Sequence, residues 1–217
     1  MEYFFKAVSY ILHPFFMTLL GLFVLFESPT IPNSYYLYDA LYFFPQEAKT
    51  VLYIVLGILT LFAPGLSLLI MYWNKMVSSL DLKKREERIM PFILVTFYYI
   101  LAYIYLRVQI PEYLQHPALM SFIFGIILVF VVSFIINLYI KLSLHAAAIF
   151  GVCGMLLAYN QTQIESNLAF LLYLLFVGGL VASSRIYLQA HTLKETLIGM
   201  VVGFGVLFIS VKFHIYY

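Results

Sequence analysis

Seven apolar stretches, each close to the length a helix needs to cross a bilayer, recur along the chain, approximately at Val8–Phe26, Val51–Tyr72, Met90–Leu106, Ala118–Ile140, Leu144–Tyr159, Leu168–Ser183 and Thr196–Val211. A hydrocarbon layer about 30 Å thick takes about 20 helical residues to span. Backbone amides in lipid find no water, so each segment must satisfy its own hydrogen bonds; without the alternation of a barrel strand, only helices remain. Composition agrees, with 64% of the 217 residues hydrophobic and 10% charged. Soluble domains carry roughly 25% charge, and this chain lacks the polar side chains to cover a globule of its size.

The expected fold class is therefore all-α, a polytopic integral membrane helix bundle of about six to seven transmembrane helices. No solenoid-period repeat or low-complexity linker divides residues 1–217, so a single transmembrane domain is expected. The first stretch carries Pro14 and continues to Phe26 without a small-residue cleavage site, which marks a retained span rather than a cleaved leader. The last two stretches are short, as for helices that are tilted, buried among neighbours or extended by a turn into the headgroup zone. Between the first two, Glu27–Thr50 holds Pro29, Pro32, Asn33 and the aromatic run Tyr35–Phe44, an interfacial loop and half-helix, with a lid as the alternative.

Some functions are excluded at this stage. A net charge of +2 provides no basic surface for nucleic acid, and 19 Tyr with 21 Phe suit the aromatic belts of a membrane protein. The lone Cys153 rules out an intrachain disulfide and a cysteine-built metal site.

The polar residues fall into three groups. The cluster Lys83-Lys84-Arg85-Glu86-Glu87-Arg88 precedes the third stretch, Lys141, Ser143 and His145 open the fifth, and Ser184, Arg185, His191 and Glu195 lie between the sixth and seventh. Two crossings separate each group from the next, so all three emerge on one face of the membrane.

The third group has the ingredients of phosphoryl chemistry. His191 and Glu195 are four apart and share a helix face, so the carboxylate can hold one imidazole nitrogen and leave the other as a nucleophile. Arg185 offers a planar fork of donors to phosphate oxygens. In the second group, His145 supplies a proton donor beside the Ser143 hydroxyl and the Lys141 ammonium. The bland alternatives are a snorkelling Arg185, an interfacial His191, and a Ser143 that merely caps the next helix. In the first group Lys84 and Arg88 are four apart and Arg85 and Arg88 three apart, so one helix face presents cations while Glu86 and Glu87 lie on others.

Together the three groups resemble the type 2 phosphatidic acid phosphatase superfamily, the membrane relatives of the vanadium-dependent haloperoxidases. Its signature runs K-x6-R-P, P-S-G-H and S-R-x5-H-x3-D. Ser184, Arg185, His191 and Glu195 stand at the spacings of the third motif, with Glu for Asp. Ser143 and His145 keep the second, with Leu142 and Leu144 at the usual Pro and Gly. In the first, Arg88 is followed by Pro91 rather than by an adjacent proline, and Asp81 occupies the lysine position. The resemblance covers about Lys83 to Gly199.

What the resemblance implies is a metal-independent phosphatase acting on a lipid phosphate or pyrophosphate, with no cofactor. His191 would attack phosphorus and form a phosphohistidine, Glu195 would orient its imidazole, and His145 would protonate the leaving alkoxide. Arg185, Arg88, Ser143, Lys141, Lys84, Arg85 and Ser184 would bind the substrate. The expected partners are that lipid phosphate and the surrounding membrane lipids, and the expected location is the cell (inner) membrane. Lysine and arginine are more numerous on the motif face, which favours a cytoplasmic site, whereas similar membrane phosphatases work on the outer leaflet. The competing class is a protein that binds or transports a phospholipid or phosphate on the same fold without turnover.

Overall fold

A computed structural model describes residues 1–33, 40–79, 86–166 and 168–216. Nine helices run through them: α1 Glu2–Ile11, α2 Met17–Glu27, α3 Gln46–Gly57, α4 Ala63–Trp73, α5 Ile89–Gln109, α6 Pro117–Asn137, α7 Leu144–Asn160, α8 Ala169–Tyr187 and α9 Leu193–Lys212. Six helical stretches are long and apolar enough to cross a membrane, and α7 is a seventh, shorter apolar helix. The chain is a polytopic all-helical membrane bundle whose outer faces display apolar side chains such as Phe62, Trp73, Phe176 and Val201. In water these would be a severe liability; lipid is their solvent.

Helix boundaries follow local chemistry. Pro117 sits at the first position of α6, where a missing N–H costs nothing, and the His116 ring accepts from the Ala118 N–H at 3.1 Å. Ile110, forced into extended backbone ahead of Pro111, ends α5. Between α3 and α4 the chain widens into a π turn at Ile58–Phe62 just before Pro64, whose nitrogen cannot donate. The first span is not one rod: α1 stops at Ile11, a 3-10 turn spans Pro14–Phe16, and α2 resumes at Met17. The elbow lies at Pro14, and its consequence for the site is large.

Of the readings for the last two spans, extension at the ends is the one seen: they are 19 and 20 residues long, because the helices run on through Arg185 and Lys212, and the shorter helix is α7, at 17. A two-stranded antiparallel ribbon also joins Thr30–Pro32 (β1) to Gln163–Ser166 (β2). It lies outside the apolar helices, where extended backbone can be solvated, and it ties the ends of α2 and α7 together on one face. Within the loop expected to hold a half-helix, residues 34–39 lie outside the described residues. The remainder makes a 3-10 turn at Leu41–Phe43, with Leu41 and Phe44 buried.

The helix α7 is the axle. Nearly all its residues beyond His145 are buried, and it packs on α9, α8, α2 and α6. Its seam with α9 is backbone on backbone: a Cβ on Gly203 would stand 1.9 Å from the Ala147 carbonyl oxygen, and one on Gly199 2.4 Å from that of Ser143. Small residues permit this approach, and lipid gives helices little other reason to associate. The seam fixes the first turns of α7 and α9 against each other, and the Ser143 N–H donates to the Glu195 carbonyl at 3.2 Å.

Candidate active site

The three polar groups converge. Arg88 at the head of α5, Lys141 and His145 at the head of α7, Arg185 at the end of α8 and His191 before α9 all line one cavity at the motif face. The segment that brings the last two together explains their spacing. After α8, Gln189 takes a left-handed conformation with φ of 52°, and the N–H groups of Ala190 and His191 both donate to the Arg185 carbonyl, at 3.1 and 3.2 Å. Five intervening residues are what such a helix-ending turn requires to place His191 beside Arg185. Lys141 locks the turn from outside, its ammonium donating to the Ala190 carbonyl at 2.8 Å.

His191 is oriented by Glu195. Nδ1 of the imidazole faces Oε2 at 3.0 Å, and the imidazole side chain is 6% exposed. With Nδ1–H donating to the carboxylate, the lone pair resides on Nε2. The same Oε2 accepts from the Thr192 N–H at 3.2 Å, while the Thr192 hydroxyl accepts from the Glu195 N–H at 3.3 Å. This reciprocal capping box starts α9. Thr192 was missed in the sequence, although T-x-x-E is a readable signal.

The cations are buried. Arg88 is 8% exposed and donates to Asn137 Oδ1 at 3.3 Å, which recruits another residue the sequence did not single out. Arg185 is 7% exposed, and its guanidinium donates to the Ser9 hydroxyl of α1. Burial, followed by the nearby Arg88 charge, pulls the Lys141 ammonium below its ordinary value. Burial also lowers Arg88, opposed by the Glu195 carboxylate. His191 is pushed down to about 4 by burial and then by Lys141, Arg185 and Arg88, against the hydrogen bond it donates to Glu195. The imidazole is therefore neutral near neutral pH, in a cavity whose charge balance is positive.

The N-terminal helix forms a wall that no motif announced. The Ser9 carbonyl accepts from the His145 ring, and His13 packs perpendicular to it, with ring centroids 5.1 Å apart. His13, Arg88, His145, Arg185 and His191 also line a second, apolar cavity. It runs between the elbow, α4, α5 and α6 along Phe15, Leu68, Phe92 and Phe130, and has a volume of about 110 Å³. The five residues are thus the junction between a polar vestibule and an apolar slot.

Two expected ligands turn away. Ser143 is fully buried, and its oxygen caps the start of α7, accepting from the Ala146 N–H at 3.4 Å. Ser184 is fully buried and donates back along its own helix to the Val181 carbonyl at 2.7 Å. Neither lines the vestibule or the slot. Lys84 and Arg85 lie outside the described residues. The Glu87 carboxylate accepts from the N–H and hydroxyl of Ser78, each at 2.8 Å.

Comparison with curated proteins and with solved structures finds no significant match. Residues 139–217, which carry both His145 and His191, match the model of the PAP2 superfamily, so this region is similar to the family that the motifs resemble.

Proposed function

We propose that the protein is a metal-independent phosphatase of a lipid phosphate or pyrophosphate, working through a phosphohistidine on His191. The observation that carries this reading is the junction itself: a neutral, carboxylate-oriented imidazole among three cations, with a polar vestibule on one side and an apolar slot on the other.

A phosphate ester enters with its tail in the slot. Arg88, Arg185 and Lys141 take the phosphoryl oxygens, whose charge spreads as the bond to phosphorus changes hands. The lone pair on His191 Nε2 attacks phosphorus, and the P–O bond to the lipid breaks with its electron pair going to the leaving oxygen. His145 supplies the proton that this oxygen takes; the bound anion favours the imidazolium that can give it. Glu195 stabilises the positive charge that His191 acquires. Water then attacks the phosphohistidine, His145 takes its proton, and the N–P electrons return to Nε2 as inorganic phosphate leaves.

Support for a lipid substrate comes from the slot, which is lined mainly by apolar side chains of helices long and apolar enough to cross a membrane. The cell (inner) membrane is the proposed location. The test is phosphate release from a short-chain lipid phosphate in detergent with EDTA present. Turnover that vanadate blocks, and that His191→Ala abolishes, is expected. Normal turnover by that variant would end the phosphohistidine scheme, and binding without turnover by the wild type would favour a phosphate-binding protein.

A further inference from the structure

Resting on the phosphatase reading, we propose that His13, on the elbow of the first span, is a further substrate-binding residue that donates a hydrogen bond to an oxygen of the phosphorylated head group where the slot meets the vestibule.

Placement is the first argument. His13 lines both cavities, with only Arg88, His145, Arg185 and His191 sharing that position among the described residues. Pro14 and Phe15, the next two residues, line the slot alone, so the chain passes from polar junction to tail wall within three positions.

The second argument is the ring's chemistry. His13 Nδ1 accepts from the Phe15 N–H at 3.3 Å, capping the 3-10 turn Pro14–Phe16. A nitrogen that accepts carries its lone pair, so in the neutral ring the proton is on Nε2. The cap thus sets the tautomer, and the perpendicular packing against His145 sets the plane. An imidazole pinned in this way is a preorganised donor, and donors fixed in a water-poor site contribute more than mobile ones.

The third argument is why a donor is needed there. The first turn of α7 withdraws the Ser143 hydroxyl into its own cap, and Ser184 bonds to its own helix. Neither serine lines the vestibule or the slot, while His13 stands at the junction they do not reach.

The cap and the donor separate experimentally. His13→Asn keeps a side-chain acceptor for the cap and removes the ring, and His13→Gln, with a longer amide that both accepts and donates, serves as the second variant should the first fail to fold. Affinity for a short-chain lipid phosphate is measured by calorimetry in the His191→Ala background, where no turnover intervenes, and kcat and KM are measured in the otherwise unaltered protein. A loss of about tenfold or more in affinity and in kcat/KM for His13→Asn, partly restored in His13→Gln, is the expected result. Affinity and kcat/KM within twofold of the parent would overturn the proposal and leave the phosphatase reading intact. Failure of that reading shows separately, as absence of turnover in the unaltered protein, while the binding arm still decides the role of His13.

Discussion

One oxygen of Glu195 joins His191 to the start of α9: Oε2 lies 3.0 Å from Nδ1 of His191 and 3.2 Å from the N–H of Thr192. The extra methylene that distinguishes Glu from the Asp of the resembled motif lets the carboxylate reach both its own N-cap and the imidazole. Glutamine serves at this capping position as well as glutamate does. Glu195→Gln is therefore expected to melt within a few degrees of the wild type while kcat falls by about 10²-fold or more, because the amide cannot stabilise a charged imidazole. A melting curve and a rate on the same preparation check it; a rate within threefold of the wild type would remove Glu195 from the mechanism.

The α7–α9 seam is expected to be just as demanding. Gly203→Ala puts a methyl carbon where the Ala147 carbonyl oxygen lies 1.9 Å away, and backbone cannot step aside as a flexible side chain would. Overpacking of this kind costs about 1–3 kcal/mol or more, and the displacement would part His145 from His191. Gly205→Ala, two residues on, meets nothing within 4 Å. The first variant is expected to lose stability and activity together and the second to keep both, measured by thermal melting in detergent and phosphate release.

Lys49 offers the converse test at the other end of the bundle. It is buried, and its ammonium donates to the carbonyls of Phe26 at 3.0 Å and Tyr42 at 2.9 Å, capping the end of α2. Lys49→Met leaves those acceptors without their charged donor and is expected to cost about 1–3 kcal/mol of stability. Turnover per folded molecule should be unchanged, since the residue sits by the strand-bearing face, away from His191. Loss of specific activity without loss of stability would contradict this placement.

The sequence disclosed the membrane bundle because charge interrupts apolar runs at bilayer spacing, and it disclosed His145, Arg185, His191 and Glu195 because helical period and crossing number place them together. Thr192 and the Gly199–Gly203 pair were legible too, as a capping box and a small-xxx-small seam. Where the Ser143 and Ser184 hydroxyls lie was not legible, because it depends on helical phase: Ser143 accepts from the Ala146 N–H and Ser184 donates to the Val181 carbonyl. Ser9 and His13 could not have been found: Ser9 meets Arg185 across 176 residues, and no periodicity announces a tertiary contact made by a bend at Pro14.

Lys141 is the largest single charge acting on His191 after burial, which makes it the handle on the pH profile. With its folded value near 4, His191 stays neutral and nucleophilic through pH 5 and 6, where an ordinary imidazole would be protonated, so kcat/KM should keep a high plateau there and fall only toward 4. Stability carries the same signature. The unfolded chain binds a proton at 6.5 that the folded site refuses until about 4, so stability from this group is present above 6.5 and drains away as the pH falls between the two values. Lys141→Met removes the cation and should move the acid limb of kcat/KM upward toward 6.5, while narrowing the window over which melting temperature declines. Ionisation of the substrate is common to both proteins and cancels in the comparison. An acid limb that does not move would mean that Lys141 holds the Ala190 turn without reaching the imidazole electrostatically.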